Sequence, residues 1–173
     1  MSPRFRPYAL SAAVLVLDRL TKWWIETHLT FYDIYQVIPG FFQIVHTQNR
    51  GIAFGIFNDG ATDSSSLALI VFSLLILGFI SAMLWHYSHT VEREHWTLRY
   101  GLGMVLGGAL GNVFDRVFHG AVTDFLDFYW GHWHFPSFNV ADSAITVGAG
   151  LLLLNLWKPG EKKRNAGAAE GVG

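Results

Sequence analysis

Two carboxylates stand out from apolar surroundings: Asp124, within Val122-Thr123-Asp124-Phe125, and Asp142, within Asn139-Val140-Ala141-Asp142. Two acids held a few ångströms apart cannot both ionise cheaply, so one keeps its proton while the other releases it. Such a pair can hydrolyse a peptide bond. The ionised acid takes a proton from water, and the protonated acid hydrogen-bonds the scissile carbonyl. Neither a covalent intermediate, nor a metal, nor an organic cofactor is needed. The two titrations are coupled, so the sequence assigns no separate role to either acid. Each acid also has a plainer reading. Asp142 could cap a helix from its first turn, and Asp124 could be a solvated loop carboxylate. Asp127, three residues on, is the obvious competitor of Asp124.

Further polar residues repeat at helical spacing. Asp18 and Lys22 are i and i+4 neighbours, which suits an internal ion pair. Asn112, Asp115 and Arg116 share one helix face; Asp115 with Arg116 reads as an interhelical clamp, since an arginine is a poor general base. Asn139 stands one turn before Asp142, and Asn49 lies in the turn Asn49-Arg50-Gly51, ahead of an aromatic run over 54–57. Asn49, Asn112, Arg116 and Asn139 are candidate supporting or substrate-binding groups. His132 and His134 alternate as ligands on a strand could, but a third ligand is missing and Trp130 and Trp133 stand alongside, so no metal site is expected. The sequence lacks Gly-x-Ser-x-Gly and His-Glu-x-x-His, a phosphate loop, and any basic surface suited to nucleic acid. With no cysteine, thiolate catalysis, disulfides and Cys-ligated zinc are excluded.

The elements that must position these groups are apolar. Of 173 residues, 51% are hydrophobic and only 14% charged, where a soluble domain carries about a quarter charged. Four segments, about 8–28, 64–87, 98–118 and 139–157, predict helices long enough to cross about 30 Å of hydrocarbon. An ionisable group in such a span costs about 2.5–3.5 kcal/mol at its centre, so each needs a reason. Gly103, Gly107 and Gly111 recur every four residues, a smooth face on which another helix can pack closely. The start resembles a signal peptide, but Asp18, Arg19 and Lys22 follow at once without a small-residue cleavage site, so Met1 is read as the mature start. One polytopic domain over 1–159 is expected. The glycine-, alanine- and charge-rich stretch 160–173 is read as a disordered cytoplasmic tail.

Lys and Arg placement sets an orientation. Arg4, Arg6, Arg93, Arg99, Lys158, Lys162, Lys163 and Arg164 flank one set of span ends, while the connections 29–63 and 119–138 hold only Arg50. The positive-inside rule puts both termini in the cytoplasm and those connections outside. Trp23, Trp24, Trp130 and Trp133 then fall near the outer boundary. Outside, Val37-Ile38 and the run 41–45, separated by Pro39-Gly40, predict a small sheet, and 125–135 is extended and interfacial.

Five stretches in order resemble the bacterial lipoprotein signal peptidases, or signal peptidase II. They are Asp18-Arg19-Leu20-Thr21-Lys22; Asn49-Arg50-Gly51-Ile52-Ala53-Phe54; Gly107-Gly108 through Gly111-Asn112 to Asp115-Arg116; Val122-Thr123-Asp124-Phe125; and Phe138-Asn139-Val140-Ala141-Asp142-Ser143-Ala144-Ile145. Arg50 and Thr123 depart from the small residue and the valine usual at those positions. The resemblance implies an all-α membrane protein of four transmembrane helices with a small extracytoplasmic sheet and a short periplasmic helix. It implies an aspartic endopeptidase, with Asp124 and Asp142 catalytic and Asp18, Lys22 and Asp115 structural. The substrates would be diacylglyceryl-modified prolipoproteins, cut on the N-terminal side of the lipidated cysteine at the outer face of the cytoplasmic membrane. Contact with membrane lipid, inhibition by globomycin-type compounds and a monomeric state are further expectations. Two other classes compete: an ion- or proton-coupled transporter, disfavoured by acids gathered at one boundary and the lack of a repeat, and a non-enzymatic membrane scaffold.

Overall fold

The computed structural model describes residues 2, 4–51, 63–90 and 96–157. Four helices fall on the four apolar segments: α1 (Arg6–His28), α2 (Asp63–Thr90), α3 (Trp96–His119) and α4 (Val140–Trp157). Four strands join them: β1 (Ile34–Ile38), β2 (Phe42–Asn49), β3 (Val122–Trp130) and β4 (Trp133–His134). The expected short extra helix has no counterpart among the described residues. The motif residues 52–54, the aromatic run 54–57 and the tail 160–173 lie outside them.

The bundle is turned inside out relative to a water-soluble one. Phe72, Leu75, Phe79, Leu153, Leu154, Leu156 and Trp157 are exposed, while Asp18, Lys22 and Asp115 are sealed at 0% exposure. An apolar exterior of this kind requires an apolar surrounding. The segment Ile70–His89 of α2 and the whole of α4 are long and apolar enough to cross a membrane.

The glycines of α3 decide how close its neighbours come. A Cβ on Gly103 would stand 2.7 Å from Pro7 O, and one on Gly107 would stand 2.6 Å from Ser11 O. One on Gly111 would meet the Asp18 carboxylate. The matched order 7, 11, 18 against 103, 107, 111 shows that α1 and α3 run parallel. On the other side of α3, Gly101 meets Gly148 and Gly108 meets Ala141. That reversed order makes α4 antiparallel to α3. Ser11 Oγ also donates to Gly103 O at 2.6 Å across the α1–α3 seam, a short polar contact only bare helix faces permit.

The sheet runs β1-β2-β3-β4, antiparallel throughout. Pro39-Gly40 does form the turn between β1 and β2, with Gly40 at φ 80°. β2 pairs with β3 through Phe42↔Phe128, Thr47↔Asp124 and Asn49↔Val122, with a register shift between Ile44 and Thr47. The loop reading of Asp124 is therefore corrected: it lies in a β-prone run, Val122 to Trp130, that pairs with β2 from Val122 to Phe128 and with β4 at Tyr129 and Trp130.

Candidate active site

The site forms where β3, the end of α3 and the start of α4 converge. Side chains alternate along a strand, so Asp124 and Asn49 share a face as diagonal neighbours, and Asn49 Nδ2 donates to Asp124 Oδ2 at 3.2 Å. Asn139, fully buried, donates from Nδ2 to Asp124 Oδ1 at 2.7 Å. The same side chain starts α4: its Oδ1 accepts the Asp142 backbone N–H at 2.9 Å, while Asp142 Oδ2 accepts the Asn139 N–H at 3.4 Å. This reciprocal arrangement is a capping box with an acid in the third helical position. Asp142 thus does serve the helix start, yet its other oxygen turns away to accept from Asn112 Nδ2 at 2.8 Å. One asparagine touches both acids: the Asp124 carboxylate directly, and Asp142 through the cap.

Behind them lies a sealed ionic cluster. Lys22 Nζ stands 2.8 Å from Asp18 Oδ2, 2.7 Å from Asp115 Oδ2 and 3.0 Å from Asn112 Oδ1. Asp18 Oδ1 accepts the Ala141 N–H at 2.9 Å, satisfying a first-turn donor of α4. Arg19 closes the cluster through an ion pair with Asp115, its guanidinium lying 4.9 Å over the Phe114 ring. Two cations balance two anions, the condition under which buried charges are tolerated. The chain from Lys22 through Asn112 to Asp142 fixes the Asn112 amide, whose Nδ2 must then donate outward.

The expected interhelical clamp forms through Asp115 but not through Arg116. Asp115 is held by Lys22 and Arg19 on α1, whereas Arg116 turns the other way, its Nη2 donating to Gly51 O at 3.0 Å and its Nη1 to Asn112 O at 3.4 Å. Consecutive helix residues point about a quarter-turn or more apart, so the two cannot serve one partner. Asp127 is separated from the site. It receives Gln43 Nε2 at 2.7 Å and His134 Nδ1 at 2.8 Å, with Gln43 directly opposite it on β2. Sequence reasoning missed Arg19, Glu26 and the bridging role of Asn139. Arg19 carried a signal, being a span cation with no acid at i+4; so did Asn139, three residues before Asp142.

A cleft of about 340 Å³ opens beside the acids, lined on its polar side by Asn49, Asn112, Arg116 and Asp142 and on its apolar side by Phe72, Ile76, Val105 and Ile145. Asp142 is partly exposed to it; Asp124 is 4% exposed, beneath Asn49 and Asn139. The Asp124 carboxyl is pushed up from 3.8 to about 7. Burial is the main cause and the Asp142 charge the second; the hydrogen bonds from Asn49 and Asn139 and the Lys22 charge oppose them. Near neutral pH one acid can thus hold a proton beside another, the electrostatic requirement for acid–base work by a carboxylate pair.

A helical bundle with an apolar exterior and two neighbouring acids at one end defines a class, the membrane proteins equipped for aspartic-peptidase chemistry. Comparison with known proteins narrows it. The family model for signal peptidase (SPase) II matches residues 10–158, and the chain belongs to this family of aspartic peptidases. The lipoprotein signal peptidase of Solibacter usitatus is 48% identical over 162 residues, covering 94% of this chain and 96% of that one. That of Symbiobacterium thermophilum is 40% identical over 147 residues, covering 85% and 91%. A bacterial membrane enzyme solved by the in meso method at 2.3 Å resolution superposes with a TM-score of 0.74 at 30% identity, over 91% of this chain and 90% of its own.

Proposed function

We propose that this chain removes the signal peptide from diacylglyceryl-modified prolipoproteins, cutting on the N-terminal side of the lipidated cysteine, with Asp124 and Asp142 as its catalytic pair. The observation that carries the assignment is the Asn139 bridge, which joins buried Asp124 to Asp142, the acid that lines a mostly apolar cleft. Asp142, partly exposed to the cleft, and buried Asp124 together hold one water: the ionised acid draws its proton while the protonated acid polarises the scissile carbonyl. The Arg116 guanidinium and the Asn49 and Asn112 amides orient the peptide backbone from the cleft wall. As the peptide bond breaks, the shared proton passes to the departing amine, so no covalent intermediate forms.

The setting follows from the same features. All four helices span the cytoplasmic membrane with both termini inside, as the Lys and Arg distribution directs. The carboxylate pair then stands at the outer boundary, level with exposed Trp23, Trp24, Trp130 and Trp133. A lipidated substrate enters sideways through the apolar wall formed by Phe72, Ile76 and Ile145, its acyl chains remaining in the bilayer. The protein acts as a monomer, and globomycin-type peptides occupy the same cleft. The transporter reading loses its support, because the acids gather at one end of the bundle in a member of a peptidase family.

The test is cleavage by purified protein in lipid of a diacylglyceryl-modified precursor and of its unmodified counterpart. Mass spectrometry should find a new N-terminus at the lipidated cysteine for the first and no product for the second. Cleavage elsewhere, or equal cleavage of both, would overturn the assignment.

A further inference from the structure

One part-buried contact, unused by the chemistry above, joins α1 to the strand that carries Asp124. Thr123 Oγ1 donates to Glu26 Oε1 at 2.7 Å, and Thr123 is 3% exposed. Alternation along β3 sends Thr123 to the face opposite Asp124, and neither Thr123 nor Glu26 lines the cleft. Substrate in the cleft therefore touches neither.

Glu26 stands where two routes to the acids meet. One is the bond to Thr123, whose own carbonyl accepts from Asn139 Nδ2 at 3.3 Å and whose chain neighbour is Asp124. The other passes from Glu26 to Arg19, 3.9 Å away, then through Asp115, Lys22 and Asn112 to Asp142. Strand pairing fixes Asp124 within the sheet, opposite Thr47, but says nothing of how the sheet sits on the bundle. Among the contacts that do, Asn139 ties β3 to α4 and Glu26 ties it to α1.

We propose that in this chain, which carries threonine where its family usually has valine, Thr123 and Glu26 are positioning residues, whose hydrogen bond seats the start of β3 on α1 and so sets the Asp124 carboxyl against Asp142. This rests on the peptidase reading above. A displacement of about 1 Å in reacting groups costs on the order of a hundredfold in rate, and the loss of one tie permits a fraction of that movement.

Thr123→Val keeps the shape of the side chain and removes only the donor; Thr123→Ser keeps the donor. Glu26→Leu removes the acceptor, and Glu26→Gln keeps it. The measurement is kcat and KM for a lipidated precursor, per folded enzyme, with melting temperature alongside. Thr123→Val and Glu26→Leu should each lower kcat about tenfold, the rate equivalent of about 1.4 kcal/mol, with KM within about twofold of its starting value. Together they should be no worse than Glu26→Leu alone, because that change already removes the bond Thr123 makes. Thr123→Ser and Glu26→Gln should stay near the unsubstituted rate. An unchanged kcat in Thr123→Val, with or without a lower melting temperature, would overturn the proposal while leaving the peptidase reading intact. So would a serine variant as impaired as the valine one. No cleavage by the unsubstituted protein would overturn both.

Discussion

Asp124 should titrate near neutrality, and the position of its midpoint should follow its neighbours in opposite directions. Folding lifts its carboxyl from 3.8 to about 7, a preference for the protonated form of roughly 4 kcal/mol. The folded state therefore binds the proton more tightly than the unfolded chain. The resulting stabilisation is complete below pH 3.8 and is lost as pH rises through about 7. If Asp124 carries the shared proton, cleavage should fall about tenfold per pH unit above the midpoint. Asp142→Asn removes the anionic neighbour and should bring the Asp124 midpoint down, leaving burial opposed by the Asn49 and Asn139 hydrogen bonds and the Lys22 charge. Asn49→Ala removes a hydrogen bond that favours the ionised form and should raise it. The assay is an infrared difference titration of the protonated carboxyl band in lipid nanodiscs, assigned by its absence in Asp124→Asn, beside the pH profile of cleavage. A midpoint near 4, or one that ignores Asp142→Asn, would refute the electrostatic argument.

Asn139→Ala should lose the cap of α4, worth about 0.5–2 kcal/mol, together with the donor to Asp124; kcat should fall on the order of a hundredfold, with a lower melting temperature. Lys22→Met leaves Asp18 and Asp115 buried with half their counter-charge, a loss of about 3–5 kcal/mol, read as failure to accumulate in membranes. Asp127→Asn should leave cleavage within a few-fold of normal, because its carboxylate serves Gln43 and His134 on the sheet; a kcat loss as large as that of Asp124→Asn would contradict the assignment of the pair.

Much of this arrangement was legible because membrane-like sequence makes polar residues conspicuous. The apolar segments gave the four helices, the glycine spacing at 103, 107 and 111 gave a close helix seam whose partner, α1, only the structure identifies, and Asp18-x-x-x-Lys22 gave an ion pair that forms at 2.8 Å. What failed depended on direction in three dimensions. Asp115 and Arg116 are adjacent in sequence, yet the helix turns them to different partners, so Asp115 clamps α3 to α1 as expected and Arg116 does not. Asp124 and Asp127 sit three apart on a strand, which puts them on opposite faces; composition alone could not tell which faces the bundle. The extent of β3 was hidden because its aromatic residues suit an interfacial stretch as well as a paired strand. The double duty of Asn139 needed coordinates, since a cap is local and its bond to Asp124 spans two elements.

The central claim is that Asp124 and Asp142 act as one unit, and turnover of a lipidated precursor by Asp124→Asn, Asp142→Asn and the double variant tests it most directly. Each single change should lower kcat on the order of a thousandfold or more, and the double change should add little, since a unit once broken cannot be broken again. All three proteins should accumulate in the membrane. Normal turnover by either single variant, or losses that multiply in the double, would contradict the claim.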